Sequence, residues 1–557
     1  MKNFAISNTH RRSLIAIAAL LQFGAGTALA GEIDTDVDGL SLRWDNTFKY
    51  SAAGRLKGQS DALVNDAPAS NSNSLNLDDG DRNFGKGLIS SRIDLLSELD
   101  LDYQKTFGAR VSAAGWYDYV YNRSNDHAND GRFNQTSVAY NEFTDATRKI
   151  HGRKAEFLDA FIYASNGDGN VRIGRHSVLY GETLFFGANG IANAQAPVDY
   201  VKLLSVPGSQ FKEIILPVNQ ISGQFKIAEG LTAGAYYQFE WRKSRIPGVG
   251  SYFSTADVFD AGGENFLLAP QGAPVPLIPR VPDREAKNSG QGGVQLRWRP
   301  SAVDVEFGFY AARYHEKLFQ TYLRANPIFS AGAFPGPVNY QLVYPEGVRT
   351  YGVSASTIIG DYNVAGEVSV RRNAPLVGGA TIDLNPLGSG IGGSAAYPVG
   401  STAHVNLSAV GFFSGKGQPW DNASVLAEVG WNRVTSVTMN AAALDPTTTR
   451  DAWGFRFLAE PTWFQVAPGV DVSAPLAVGY NPKGRSGAVQ LFNGGVDKGG
   501  DMSIGLRATY QQVWKFGVNF THFYGAAGGA LGADTYLTFK QSLKDRDFVS
   551  LSVQRTF

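Results

Sequence analysis

Residues Leu40 to Ser51 read Leu-Ser-Leu-Arg-Trp-Asp-Asn-Thr-Phe-Lys-Tyr-Ser. Leu40, Leu42, Trp44, Phe48 and Tyr50 share one parity, and Ser41, Arg43, Asp45, Thr47 and Lys49 the other. Successive side chains of a strand point to opposite faces, so this segment predicts a strand with one apolar and one charged face. The rhythm recurs at Ile93 to Gln104, where Ile93, Leu95, Leu99, Leu101 and Tyr103 oppose Arg92, Asp94, Glu98, Asp100 and Asp102. It continues at 111–121, 221–227, 231–242, 294–299, 303–311, 351–357, 362–371, 405–413, 423–431, 502–510 and 549–557. Strands of soluble sandwiches run about 5 to 6 residues. About ten alternating residues between turns is the signature of a transmembrane β-strand.

Short connections at 104–108, 166–169, 228–230, 299–302, 360–361, 415–421, 468–469 and 513–515 alternate with long ones. The long ones span roughly 52–87, 123–154, 181–213, 243–290, 315–346, 373–402, 434–451, 481–500 and 525–547. Outer-membrane barrels combine short periplasmic turns with long external loops. The expected fold is therefore all-β, a transmembrane antiparallel barrel of about 16 to 18 strands with both termini periplasmic and one or more loops folded into the lumen. The stretches 155–180 and 452–480 alternate poorly, and without them the count falls to about 14. Trp44, Phe48, Tyr50, the 117–121 and 237–241 aromatics and Trp431 are expected in an outer lipid-boundary girdle, with Trp298, Trp514 and Phe516 beside periplasmic turns.

Lys2, Arg11 and Arg12 precede apolar Leu14 to Phe23 and then Ala28-Leu-Ala30, the build of a cleaved secretory signal peptide. Residues 31–557 are expected to form one barrel domain in the outer membrane of a Gram-negative bacterium, in contact with its lipid. No later apolar run is long enough for a membrane helix. With 64 glycines and no cysteine, the chain is turn-rich and can form neither a disulfide nor a thiolate metal site. Its 50 basic and 50 acidic residues argue against a nucleic-acid partner, which needs a basic patch.

Several segments in order resemble the proteobacterial family known as domain of unknown function 1302. They are Asp78-Asp-Gly-Asp-Arg-Asn-Phe84, Ser90-Ser-Arg92, Glu98, Trp116-Tyr-Asp118, Arg172-Ile-Gly-Arg175, Tyr180-Gly-Glu182, where Trp-Gly-Glu is expected, Pro207-Gly208 and Glu213 to Pro217. The series continues with Tyr236 to Trp241, Tyr344-Pro-Glu346, Tyr351-Gly352, Gly366-Glu367, Arg371 to Pro375 and Asp545-Arg-Asp-Phe-Val549. The resemblance implies an outer-membrane protein that works with a periplasmic companion and an inner-membrane permease to move hydrophobic or amphipathic compounds. The last strand ends in Phe557, which resembles the signal read by the barrel-assembly machinery, although Arg555 departs from the usual aromatic.

If the apolar faces meet lipid, the other faces line the pore. Candidates are Arg92, Asp94, Glu98, Asp100, Asp102, Arg110, Asp118, Glu240, Arg297, Glu306, Glu367, Arg371, Glu428 and Arg507. Both signs are present in similar numbers, whereas an ion-selective pore needs rings of one sign, so strong ion selectivity is not expected. Segment 181–213 carries more apolar side chains than a solvated loop should display. It is expected to fold inward as a constriction that involves Tyr180, Glu182, Phe185, Phe186, Asn189, Asn193, Asp199, Lys202 and Glu213. Loop 243–290, with Phe253, Phe259, Phe266, Leu267, Leu268, Val275, Leu277 and Ile278, is expected to form an apolar external collecting surface.

An enzyme needs a nucleophile beside an oriented base. Here His176 near Glu182 and His404 near Ser408 are the only pairs to consider, and neither sits in a catalytic motif, so no catalysis is expected. Asp78-Asp-Gly-Asp81 is similar to part of a calcium loop but lacks the spaced ligands and distal Glu, so no metal or other cofactor is expected. The leading expectation is a channel for hydrophobic or amphipathic compounds. The alternative is a general or solute-selective porin, and an adhesive barrel is a minor third.

Overall fold

The computed structural model describes residues 31–64, 72–325, 337–383 and 395–557; the expected signal peptide lies outside them. Eighteen antiparallel strands close into one barrel. In chain order they are β1 (Leu40–Arg55), β2 (Gly87–Tyr103), β3 (Phe107–Asp118), β4 (Arg153–Asn166), β5 (Gly169–His176), β6 (Val218–Ala228), β7 (Leu231–Gln238), β8 (Gln291–Trp298) and β9 (Val305–Tyr314). The second half is β10 (Val348–Ile359), β11 (Tyr362–Pro375), β12 (Val399–Ser414), β13 (Asn422–Met439), β14 (Asp451–Ala467), β15 (Val470–Ser473 and Leu476–Lys483, interrupted at Ala474-Pro475), β16 (Gly499–Tyr510), β17 (Trp514–Tyr524) and β18 (Phe548–Thr556). Each strand pairs with its sequence neighbour, and β18 pairs with β1 from Thr47↔Thr556 to Arg55↔Phe548, which closes the ring. Gly31–Ile33 continues the edge of β1 beyond Phe557 by pairing with Leu42–Trp44. A closed ring leaves no backbone donor or acceptor facing hydrocarbon.

Large apolar side chains cover the outside, among them Leu95, Leu99, Ile173, Val294, Val368, Leu407, Ile504 and Leu551, all exposed on the protein alone. The two stretches with poor alternation are strands as well. In β4 the register against β3 shifts between Val111 and Ala113, and Phe157 and Ile162 are both more than 60 % exposed although they have opposite parity. A bulge that adds one residue reverses the parity beyond it and hides the pattern. In β14 and β15, Pro461 and Pro475 carry no N–H, and Ala474 bridges the gap by donating to the Pro461 carbonyl at 3.0 Å.

The ends of the ring differ as the loop lengths require. At one end the turns are tight: in the three-residue connection 104–106 between β2 and β3, Gln104 and Lys105 adopt φ of 51° and 57° and the Thr106 amide donates to the Tyr103 carbonyl at 3.0 Å. At the other end the long loops build a roof with its own cores. Phe84, Val120, Tyr121, Phe143, Tyr252 and Phe253 pack with Phe523 and Phe548 in one cluster; Trp241, Ala286, Phe319, Leu342 and Tyr344 form another. Tyr121 and Trp241 therefore belong to loop cores and not to the lipid girdle. Loop 243–290 divides against the expected collecting surface: Leu268 and Val275 are exposed, whereas Phe253, Leu267 and Ile278 are buried, because loop-on-loop packing removes their apolar area from water.

Candidate functional site in the lumen

The connection from β5 to β6, residues 177–217, crosses the barrel interior and is bonded to the inner faces of strands on the far side. Two carboxylates on those strands receive it. Glu428 of β13 accepts from Thr183 Oγ1 at 2.8 Å and from the amides of Leu184 at 3.0 Å, Phe186 at 3.1 Å and Phe185. Glu367 of β11 accepts from the amides of Glu182 at 2.7 Å and Ile191 at 2.9 Å and from Asn406 Nδ2 at 3.0 Å. Arg371 donates to the carbonyls of Ala188 and Gly190, each at 2.9 Å. Asn189 donates to Asn406 Oδ1 at 2.9 Å, and its Oδ1 accepts from His404 Nδ1 at 3.0 Å. Charge-assisted bonds of this kind are the strong ones, and here they satisfy backbone amides that the loop removes from water. The sequence accommodates the fit at Gly181, whose φ is +97° and whose missing Cβ would collide with the Glu367 carboxylate.

Packing reinforces the latch. Phe186 stacks on Phe492 with ring centroids 5.5 Å apart, and Tyr180 packs with Ile191, Tyr236 and Tyr310 in one buried cluster. Asn193 donates to Tyr314 Oη at 3.2 Å, and its carbonyl accepts from Lys317 Nζ at 3.1 Å. Burial lowers the Lys317 ammonium to about 8. Glu182 reaches Arg297 of β8 at 3.5 Å, and Arg297 also pairs with Glu306.

The return half of the loop rests on β1 to β3. Trp116 is buried beneath three cations: Arg92 at 4.9 Å, Lys202 at 5.5 Å and Arg245 at 5.6 Å from its ring. Their counter-charges are local. Arg92 pairs with Asp94 at 2.7 Å, Lys202 with Glu213 at 3.4 Å and Arg245 with Asp199 at 2.6 Å. Lys212 pairs with Glu98, which also takes Arg110; Arg110 pairs in addition with Asp100 at 3.0 Å.

Between this half of the loop and the wall of β2 to β5 lies a cavity of about 620 Å³. Asp100, Arg110, Asp159, Tyr163, Asn170, Arg172 and His176 supply its polar lining, and Phe161, Leu179, Phe211 and Ile215 its apolar lining. Phe211 is 63 % exposed, and Leu184, Leu203 and Leu204 on the same connection are exposed too. Arg172 lies 5.8 Å over the Phe161 ring.

The predicted pore residues thus divide. Arg92, Asp94, Asp118, Glu367, Arg371 and Glu428 face inward but are buried, because loop and neighbours consume their charge. Asp118 serves as a cap at the end of β3, accepting from Ser90 Oγ at 2.6 Å and the amides of Ser91 and Val120. Asp102 accepts from Tyr163 Oη. Glu240 departs from its predicted place: it lies past the end of β7, at the rim of the wall, and pairs with Arg175 at 3.1 Å while accepting the Asn219 amide. Asp100, Arg110, Arg297, Glu306 and Arg507 keep accessible surface inside, with Arg507 paired to Glu460 at 3.0 Å. Sequence reasoning missed Trp116, Arg245 and Asn406 as loop anchors; Trp116 belongs to the Trp116-Tyr-Asp118 motif, but nothing local marks a tryptophan as a platform for cations from distant segments. The histidine pairs do not form. His176 bonds Ser222 Oγ at 2.7 Å and not Glu182, and His404 lies between Thr402 and Asn189 and not on Ser408.

No curated protein shows significant sequence similarity to the chain. Among solved structures it is similar to OccAB4 of Acinetobacter baumannii, at 9 % identity and TM-score 0.40 over 92 % of this chain and 97 % of that one. It is similar to OccD3 (OpdP) of Pseudomonas aeruginosa at 10 % identity and TM-score 0.39, over 95 % and 93 % of the two chains. A BenF-like porin from Pseudomonas fluorescens Pf-5 gives 9 % identity and TM-score 0.41, over 93 % and 98 %. The family described as protein of unknown function (DUF1302) matches residues 10–557, nearly the whole length, and the chain belongs to that family.

Proposed function

We propose that the barrel is an outer-membrane channel for amphipathic molecules with an apolar body and an anionic end, exported with its signal peptide removed and catalysing no reaction. The observation that carries this reading is the lumenal cavity, where Phe161, Leu179, Phe211 and Ile215 present apolar surface beside the Arg172 guanidinium. Apolar side chains held open inside a lumen favour a solute that can cover them, since exposed apolar patches are commonly binding surfaces. On this proposal the periplasmic companion and inner-membrane permease implied by the family resemblance exchange cargo at the short-turn end, and the assembly machinery reads the strand that ends in Phe557. A porin for polar solutes is the second reading. It is favoured by the accessible ion pairs Arg456–Asp501 at 2.8 Å and Arg507–Glu460 at 3.0 Å on the inner face.

Ion current through the purified barrel in planar bilayers, with decanesulfonate or methanesulfonate added, tests the proposal. Reversible block by decanesulfonate alone, weakened about tenfold by Arg172→Gln, is expected, equivalent to about 1.4 kcal/mol of lost binding. A large steady current indifferent to both sulfonates refutes it and favours the porin.

A further inference from the structure

The external roof contains a carboxylate cluster that takes no part in the lumen. Asp78 and Asp79 lie at the start of a single helical turn, Asp79–Arg82, and Asp257 arrives from loop 239–290. All three are buried, and one oxygen from each lies within 4.8 Å of the others. Asp257 Oδ2 accepts the Asp79 amide at 3.2 Å, so this carboxylate points at the cluster. Asp78 Oδ2 is taken by Arg82 at 2.7 Å and Arg132 at 3.0 Å. Asp79 meets His127 Nε2 and the Asn134 amide, each at 3.3 Å.

The remaining oxygens of Asp78 and Asp257 meet no hydrogen-bond donor, although Asp257 is 0 % exposed and Asp78 1 %. Asn134, also fully buried, has its Oδ1 without a donor. Buried carboxylate oxygens without a partner are costly. The balance of side chains points the same way: four carboxylates, Asp78, Asp79, Asp257 and Asp130, face two arginines, Arg82 and Arg132, and the single imidazole of His127. An all-oxygen, carboxylate-rich set suits a hard divalent ion that tolerates irregular geometry.

We propose that Asp78, Asp79 and Asp257 bind one calcium ion, which fastens the external loops 56–86 and 239–290 to each other over the barrel mouth. Loop 119–152 joins them through His127 and Asn134. The competing arrangement is a proton shared between Asp78 and Asp257.

The test uses the full-length processed barrel in detergent, stripped with EGTA, desalted and titrated calorimetrically with calcium chloride up to about 1 mM, the range of external calcium modules. Thermal midpoints are read with EGTA and with calcium. Expected are one calcium per chain and a higher midpoint with calcium. Asp257→Asn is expected to lose affinity at least about tenfold and to abolish the midpoint shift, while its midpoint in EGTA equals or exceeds that of the wild type. Absence of calcium heat and of a midpoint shift in the wild type overturns the proposal, and a raised midpoint of Asp257→Asn in EGTA then assigns the shared proton. Wild-type affinity in a folded Asp257→Asn also overturns it. If that variant fails to fold, wild-type stoichiometry and shift still decide.

Discussion

Glu428 is the point at which the in-folded segment is most exposed to perturbation. One carboxylate receives Thr183 Oγ1 and the three consecutive amides of Leu184, Phe185 and Phe186. Hydrogen bonds to a charged group contribute about 1.5–3 kcal/mol each, and a buried amide left without an acceptor costs about 1–3 kcal/mol. Glu428→Gln keeps one carbonyl on the amides but removes the charge, for a loss of about 2 kcal/mol. Glu428→Ala leaves three amides without their acceptor and should cost at least about 3 kcal/mol, which raises the released population more than about 100-fold. The chain has no cysteine, so Ala188→Cys introduces a single thiol on the segment. Its rate of modification by a methanethiosulfonate reagent should rise from the otherwise wild-type background to Glu428→Gln and again to Glu428→Ala, by at least about fivefold at the last step. Equal rates in all three backgrounds, with the barrel intact on a heat-modifiability gel, refute the latch.

Two further predictions concern the same loop. Gly181→Val should release the segment as Glu428→Ala does, because a Cβ there meets the Glu367 carboxylate and φ is +97°; an unchanged Ala188→Cys rate would contradict this. Lys317, lowered to about 8 from 10.5, binds its proton less readily in the folded chain than in the unfolded one. Stability should therefore rise between pH 8 and 10.5 and lack this contribution below pH 8, and Lys317→Met should flatten that window in urea unfolding.

The ring of strands was readable because lipid and water impose period two on one polypeptide, and only a bulge in β4 and the prolines of β14 and β15 blurred it. The inward loop was readable for a similar reason: Phe185, Phe186 and Ile191 are too apolar for solvent. The use made of the charges was not. Glu367 and Glu428 look like pore residues by parity, yet only the fold brings segment 181–191 onto them. Burial of Phe253 and Leu267 likewise depends on loops far apart in sequence, which periodicity does not report. Asp257 shows the same limit, since nothing near it in sequence announces Asp78.

The most direct measurement of the central claim is flux in proteoliposomes. Decanesulfonate is permanently charged and does not cross lipid as a neutral acid. Radiolabelled decanesulfonate should enter vesicles containing the barrel in a saturable manner, more slowly with Arg172→Gln, while sucrose entry stays low in both. Decanesulfonate entry no faster than in protein-free vesicles would contradict the account.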